Sequence, residues 1–229
     1  KTCIEDKSKV IIPVFALDRT VEVLSTLYEI YHEDKSFNIP ILIDSKLGLQ
    51  YVKDYFNILD EEKRQYLNKV INWQNVLQIE EYTVSKAHQE SSRPEIILAS
   101  SGMMQNGRII GWMEHYVNNQ YAHLLFCGYC SDNTLAAHVK DNKRKYVKIN
   151  DKTYRNRINI TSLNSFSSHA SHNCLLDYYS NMDVSEKIIL VHGNMEGKIK
   201  FAEELKEEIG KQNRTTKVLI GNSSMTVNI

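Results

Sequence analysis

Short apolar runs rich in β-branched residues alternate along this chain with longer segments of helical period, and nothing else in the sequence narrows the fold so far. The runs at Val10–Ala16, Pro40–Ile43, Glu95–Ala99, Ala122–Cys127, Tyr146–Ile149, Lys187–His192, Lys217–Ile220 and Met225–Ile229 read as strands. Between them, helices are expected at Arg19–Glu33, Lys46–Leu59, Glu61–Ile71, Glu81–Gln89, Arg108–Val117, Asn133–Lys140, His172–Tyr179 and Met195–Ile209. In the first helix Val21, Leu24, Tyr28 and Tyr31 share one face. Strands separated by helices predict an α/β architecture with a largely parallel sheet. The pattern changes character near residue 155, which places a domain boundary between about 150 and 160.

Composition then limits the partners. The 28 basic and 28 acidic side chains cancel, so no global positive field points to nucleic acid, and any anion site has to be built locally. No apolar run reaches the length of a membrane span, roughly 20 residues, and the first residues have neither a signal-peptide core nor a transit-peptide bias. The expectation is a cytoplasmic protein with no membrane partner. Four unevenly spaced cysteines fit a reducing compartment better than a disulfide framework.

Two of those cysteines form FCGYC, residues 126–130, at the junction of an expected strand and helix. A thioredoxin-like dithiol would place a proline later in the chain, but Pro13, Pro40 and Pro94 all precede the pair. A zinc knuckle would need two further close ligands, and His169, His172 and Cys174 lie some forty residues on. The residues favour a buried Cys127 and a small turn residue at Cys130.

Three other strand-to-loop transitions carry groups suited to chemistry, at the strand ends where open α/β sheets bind ligands. In EIILASSGMMQNGRI, Ser100, Ser101 and Gly102 offer hydroxyls and close backbone approach, and Arg108 adds a cation, a set able to hold phosphate, although the stretch taken alone reads first as an ordinary glycine turn. In SLNSFSSHASHNCLLDYY, Ser165, Ser167, Ser168 and Ser171 surround His169. Ser171 is placed to cap the following helix, and His169 can exchange protons near neutral pH. In KIILVHGN, His192 is expected at the end of a buried strand, beside a glycine that clears space, a position metal ligands often occupy, although spacing alone favours a satisfied structural histidine.

In their order, VIIPVFALDRTVEVL, PILIDSKL, ASSGMMQNGRI, FCGYCSDNTLAAHV, SFSSHAS and LVHGN resemble the second half of a β-CASP ribonuclease of the metallo-β-lactamase superfamily. That group includes ribonuclease J and the endonucleases related to the pre-mRNA 3′-end cleavage factor. The resemblance implies a parallel-sheet β-CASP cap over residues 1–156, followed by the C-terminal part of the αββα lactamase fold over 157–229. It implies a zinc-dependent ribonuclease that hydrolyses phosphodiester bonds of single-stranded RNA in processing or decay. Two zinc ions are expected in the complete enzyme, with His192 as one ligand and His169, by its likeness to the histidine of an FSAH motif, as the catalytic acid. Ser100, Ser101, Gly102, Arg108, Ser167 and Ser168 would face the RNA. FCGYC resembles a GY-x-x-x-x-TL turn carried by Gly128, Tyr129, Thr134 and Leu135, in which cysteine is incidental.

The sequence also departs from that pattern. The His-x-His-x-Asp-His cluster that founds the family's metal site does not occur, so the implied partner is a missing N-terminal lactamase half, and a homodimer is open. Asp18 stands for the glycine of an ALGR turn, Lys46 for the proline of DSP, Asp132-Asn133 for Glu-Gly, Ser171 for the Asp of HAD and Asn194 for the Glu of HGE. The competing reading is a catalytically silent β-CASP relative that binds RNA or scaffolds an active partner.

Overall fold

The structure, a computed structural model, describes residues 5–141, 143–163, 166, 169–183 and 186–221. The expected strand Met225–Ile229 lies outside them. The chain divides into two compact units between residues 167 and 168.

The first unit is built on six parallel strands: β1 (Lys9–Pro13), β2 (Ile41–Asp44), β3 (Val76–Gln78), β4 (Glu95–Ala99), β5 (His123–Phe126) and β8 (Asn159–Ser162), in the spatial order β3-β2-β4-β1-β5-β8. Strands buried on both sides must be apolar throughout, and β1, β2 and β4 are buried at nearly every position. Alternate residues separate the two cores. Ile11, Leu42, Ile97 and Ala99 face α5 (Ile109–Tyr116) and α6 (Leu135–Lys140), which bring Ile109, Trp112, Met113, Ala136 and Val139. Ile12, Ile41, Ile43, Ile96 and Leu98 face α1 (Arg19–Tyr31), α2 (Lys46–Ile58) and α3 (Glu61–Ile71), through Val23, Leu24, Leu49, Val52, Val70 and Ile71. Ile11 and Leu42 both stand in register with Ile97, so each layer is continuous across the sheet. α4 (Tyr82–Glu90) joins β3 to β4.

Helix starts follow local chemistry. The hydroxyl of Ser45 accepts from Gly48 N at 3.0 Å and caps α2, Asp60 accepts from Lys63 N at 2.9 Å and caps α3, and Thr134 accepts from Ala137 N at 3.2 Å and caps α6. Asp18 and Asn133, which replace glycines of the resembled motifs, take φ of 66° and 64°. Asn is among the side-chain-bearing residues that tolerate positive φ best, whereas Asp18, with ψ of −62°, sits in a tight turn closed by Arg19 N donating to Leu17 O at 2.8 Å. Because Asn133 takes that conformation and Thr134 caps, α6 begins at Leu135, two residues later than its sequence suggests.

Three strands escape the hydrophobic pattern: β3, β8 and β7 (Lys152–Arg155), the last of which pairs antiparallel with β6 (Tyr146–Ile149) around Asn150 and Asp151. All three lie at sheet edges or in the hairpin, where polar residues stay wet and alternation is lost. Val147 and Ile149 turn into the core on the α5 and α6 side.

In the second unit, β9 (Lys187–Leu190) and β10 (Lys217–Ile220) run parallel, covered by α8 (Met195–Lys211) through Ala202, Leu205 and Ile209. α7 (His172–Asn181) adds Leu176 and Tyr179. The Arg214 guanidinium donates to the carbonyl oxygens of Ser180 and Met182, satisfying the last turn of α7. No helix among the described residues is long and apolar enough to cross a membrane.

At the amino ends of the strands a buried ion pair joins β1 to β4. Lys9 Nζ donates to Glu95 Oε2 with both side chains shielded from water, and His88 Nδ1 lies 2.8 Å from Glu95 Oε1. Burial pulls the Lys9 ammonium below its usual range, opposed by the Glu95 carboxylate. Glu95→Gln leaves that cation without its counter-charge and is expected to lower the unfolding free energy in urea by roughly 3–5 kcal/mol. Lys9→Met/Glu95→Leu removes both charges and is expected to recover most of that loss; equal losses would show that the pair stabilises the fold beyond what apolar contacts supply.

Candidate functional site

The loop after β4 leaves toward the α5 side, whereas those after its neighbours β1 and β2 leave toward the α1 and α2 side. This divergence opens a crevice at the carboxyl ends of the central strands, the usual ligand position of an open α/β sheet. A cleft of about 480 Å³ occupies it, lined by Lys46, Tyr82, Ser100, Arg108, Glu114 and Asn150 among others.

Each neighbouring loop is tied to the loop after β4. Ser45 Oγ donates to Ser100 Oγ at 2.9 Å, so the buried cap of α2 holds a residue that lines the cleft. The ring of Phe15, just past β1, lies so close to Gly102 that a Cβ there would sit 3.1 Å from it. Met103 Sδ accepts from Ser131 N at 3.3 Å and Met103 O from Ala136 N at 3.3 Å, which fastens the loop after β5. The loop also closes on itself: Ser101 N and Oγ both donate to Asn106 O at 3.2 Å, and Ile109 N donates to Ser100 O at 3.0 Å. Gly107 takes φ of 84°, and a Cβ there would lie 2.5 Å from Ser100 O, so no other residue fits.

Beneath the loop, the wholly buried Asp44 ends β2. Its Oδ2 accepts from Ser85 Oγ and, at 2.7 Å, from Trp112 Nε1, while Arg108 Nη1 lies 3.6 Å from Oδ1. Arg108 also donates to the carbonyl oxygens of Glu80 and Glu81 at 2.8 and 3.2 Å and stacks its guanidinium over Tyr82 at 5.2 Å. Arg108 is therefore a brace between α5, α4 and β2, with only part of its fork toward the cleft. The cation that lines the cleft without an ion pair among the described residues is Lys46, at the first position of α2. The sequence places Asp44, Ser45 and Lys46 in the PILIDSKL motif, but neither they nor Tyr82 are named there as site residues. The available signal was DS after an apolar strand, a cap at the carboxyl end of β2.

The structure thus gathers Ser100, Ser101, Gly102 and Arg108 in the first unit. Ser167 and Ser168 lie outside the described residues. His169 and His192 belong to the second unit and are both exposed. His192 is not the last residue of a buried strand: β9 stops at Leu190, and His192 follows with φ of 64° in the loop before α8. Its ring direction is set by that turn, with Gly193 at φ of 78° beside it. Among the described residues no three His, Cys, Asp or Glu side chains stand together as a metal site, so the described residues do not by themselves fit a zinc centre. The exchanged acids of the resembled motifs have become caps: Ser171 Oγ accepts from Cys174 N at 3.2 Å and Asn194 Oδ1 from Gly197 N at 2.7 Å. His172 is exposed on the first turn of α7 but pairs with Glu204 and packs edge-on against Phe201.

Cys127 is buried in the core on the α1 side, and Cys130 packs against the core on the α5 side. Thiols on opposite faces of a sheet can neither pair nor share a metal. Burial pushes the Cys127 thiol up to about 11 and raises Cys130 as well.

The same residues match two family models: a Beta-Casp domain over residues 20–139 and a Zn-dependent metallo-hydrolase RNA specificity domain over 153–216. The chain is 29% identical to ribonuclease TTHA0252 of Thermus thermophilus, over 82% of this chain and 44% of that protein. It is 28% identical to the transcription termination factor FttA of Methanocaldococcus jannaschii, over 89% of this chain and 34% of that protein. With Integrator complex subunit 11 of Danio rerio it shares 23% identity, over 99% of this chain and 38% of that protein. The chain therefore spans less than half the length of these relatives.

Two outcomes follow from the geometry. Asp44→Ala strips Trp112 and Ser85 of their shared acceptor and Arg108 of its counter-charge, and is expected to cost roughly 3–5 kcal/mol in urea unfolding; a loss below 1 kcal/mol would show that the brace is dispensable. At pH 8 a thiol of pKa about 11 is ionised in about one molecule in a thousand, against roughly a quarter for an ordinary thiol. Exposed Cys174 should be alkylated by iodoacetamide at that pH while Cys127 resists, and mapped labelling at Cys127 in the folded chain would contradict its burial.

Proposed function

The chain belongs to the Beta-Casp domain family, and we propose that it supplies the RNA-facing cap and the returning lactamase segment of a zinc-dependent ribonuclease acting on single-stranded RNA. The observation that carries this reading is the cleft at the carboxyl ends of the parallel strands, in a domain whose relatives include proteins named ribonuclease. Lys46 and the hydroxyl of Ser100 face that cleft, and a phosphodiester needs such a cation and neutral donor. The first 156 residues are the cap in this reading, and residues 157–229 return to the lactamase fold.

His169 is assigned as the group that protonates the departing 3′ oxygen, and His192 as one zinc ligand. Two zinc ions would be held by His192 together with ligands beyond the described residues, contributed by an N-terminal lactamase half. The cytoplasm is the proposed compartment, where thiols such as Cys127, Cys130 and Cys174 stay reduced.

The test uses this chain together with its lactamase half. His169→Ala is expected to slow cleavage of a single-stranded RNA 10²- to 10⁴-fold with zinc content unchanged. His192→Ala is expected to lower zinc per polypeptide, read by plasma emission. Undiminished turnover by the His169 variant would remove it from the chemistry. Absence of cleavage in the zinc-loaded unaltered protein would leave the silent RNA-binding relative as the better account.

A further inference from the structure

The chain is neutral overall, yet eight of its 28 Lys and Arg residues lie between residues 140 and 157, where Asp141 and Asp151 are the only acids. The fold gathers Lys140, Arg144, Lys145 and Arg157 of this stretch around a second cleft, of about 480 Å³, that runs beside β8. β8 is the last strand of the sheet. It pairs with β5 on one side, and among the described residues no strand pairs with its other side. Asn159 N and Leu163 N donate to Ala122 O and Phe126 O at 3.0 and 2.8 Å, so strand alternation turns the backbone groups of Ile160 and Ser162 to the open edge. Both residues line the cleft.

The cations there are little engaged. Arg144 has an exposed contact with Asp141 at 3.4 Å, of the kind that contributes little, and Lys145 and Arg157 have no ion pair among the described residues. Beyond Lys145 the hairpin continues the surface: Tyr146 stands opposite Arg155, and its ring is 63% exposed. A row of cations, backbone donors at an open strand edge and an exposed aromatic ring are what a single-stranded polynucleotide uses, for its phosphates and for one base face. An acidic peptide would use the cations and the strand edge but has no need of the ring.

We propose that this cleft binds the phosphodiester backbone of single-stranded RNA, as a contact surface separate from the crevice at the carboxyl ends of the strands. The choice of RNA rests on the ribonuclease reading above; the binding measurement does not, since it needs neither metal nor cleavage. The full chain is compared with its Arg144→Gln/Lys145→Gln/Arg157→Gln variant by fluorescence anisotropy of a fluorescein-labelled polyuridylate oligonucleotide across a salt series. A Lys63→Gln/Lys69→Gln/Lys86→Gln variant removes equal charge from exposed helix positions as the control. The cleft variant should bind at least tenfold more weakly at low salt, with a log–log salt slope shallower by about 2, while the control stays near the unaltered chain. All of these positions are exposed, and unchanged melting curves establish that each variant folds. Equal affinity and slope in the cleft variant and the unaltered chain would overturn the proposal. So would displacement of the oligonucleotide by polyglutamate at matched charge concentration as effectively as by unlabelled polyuridylate, which would assign the surface to an acidic protein.

Discussion

The crevice depends on one buried carboxylate. Asp44 lies at the last position of β2, and the groups around it come from α4, α5 and the turn before α5, three segments that no hydrogen-bond ladder connects. A carboxylate without water has to be surrounded by donors. Ser85 and Trp112 donate to Oδ2, and the Arg108 guanidinium stands 3.6 Å from Oδ1 as the counter-charge, so that together they fix α4 and α5 relative to the end of β2. The loop after β4 is thereby suspended over a rigid floor, with Ser100 held from one side by Ser45 and Gly102 covered from the other by Phe15. Hydroxyls and a cation presented by such a loop need little reorganisation to meet a ligand.

The central strands and all eight described helices are legible because their signals are local: apolar runs for β1, β2 and β4, and segments of helical period between them, α2 and α3 with a side-chain cap as well. β3, β7 and β8 are not, since an edge strand is specified by its neighbour rather than by its own apolar residues. The loop at residues 100–107 was legible as a loop at the carboxyl end of a strand from its Ser-Ser-Gly. Arg108 was legible as a cation but not as a brace, because Asp44 and the carbonyl groups it holds lie up to 64 positions away in the sequence. His192 illustrates the converse error. An apolar run continues through Val191, but the backbone turns left-handed at His192, and a short strand followed by a capped helix leaves no room for two more strand residues.

The two units contribute different kinds of group. The first offers hydroxyls, backbone donors and cations over clefts, groups suited to holding a polyanion but poor at moving a proton near neutral pH. The second carries the exposed imidazoles of His169 and His192. In the proposed reading, binding falls to the first unit and proton transfer to the second, and the neutrality of the whole chain conceals a strong local segregation of charge in the first.

The strand order has a consequence for biosynthesis. β1 and β2 are made first, yet they are not neighbours; the place between them belongs to β4, which ends at Ala99. A nascent chain that has emerged only as far as α4 carries β1 on one side of an empty lane and the β2–β3 pair on the other, and the apolar rows of β1 and β2 remain uncovered on that side. Sheet assembly therefore waits for the arrival of Glu95–Ala99, and that same stretch runs directly into the serines of the crevice. The ribosome delivers the central strand and the start of the crevice loop in one continuous movement, so a chain arrested upstream has neither.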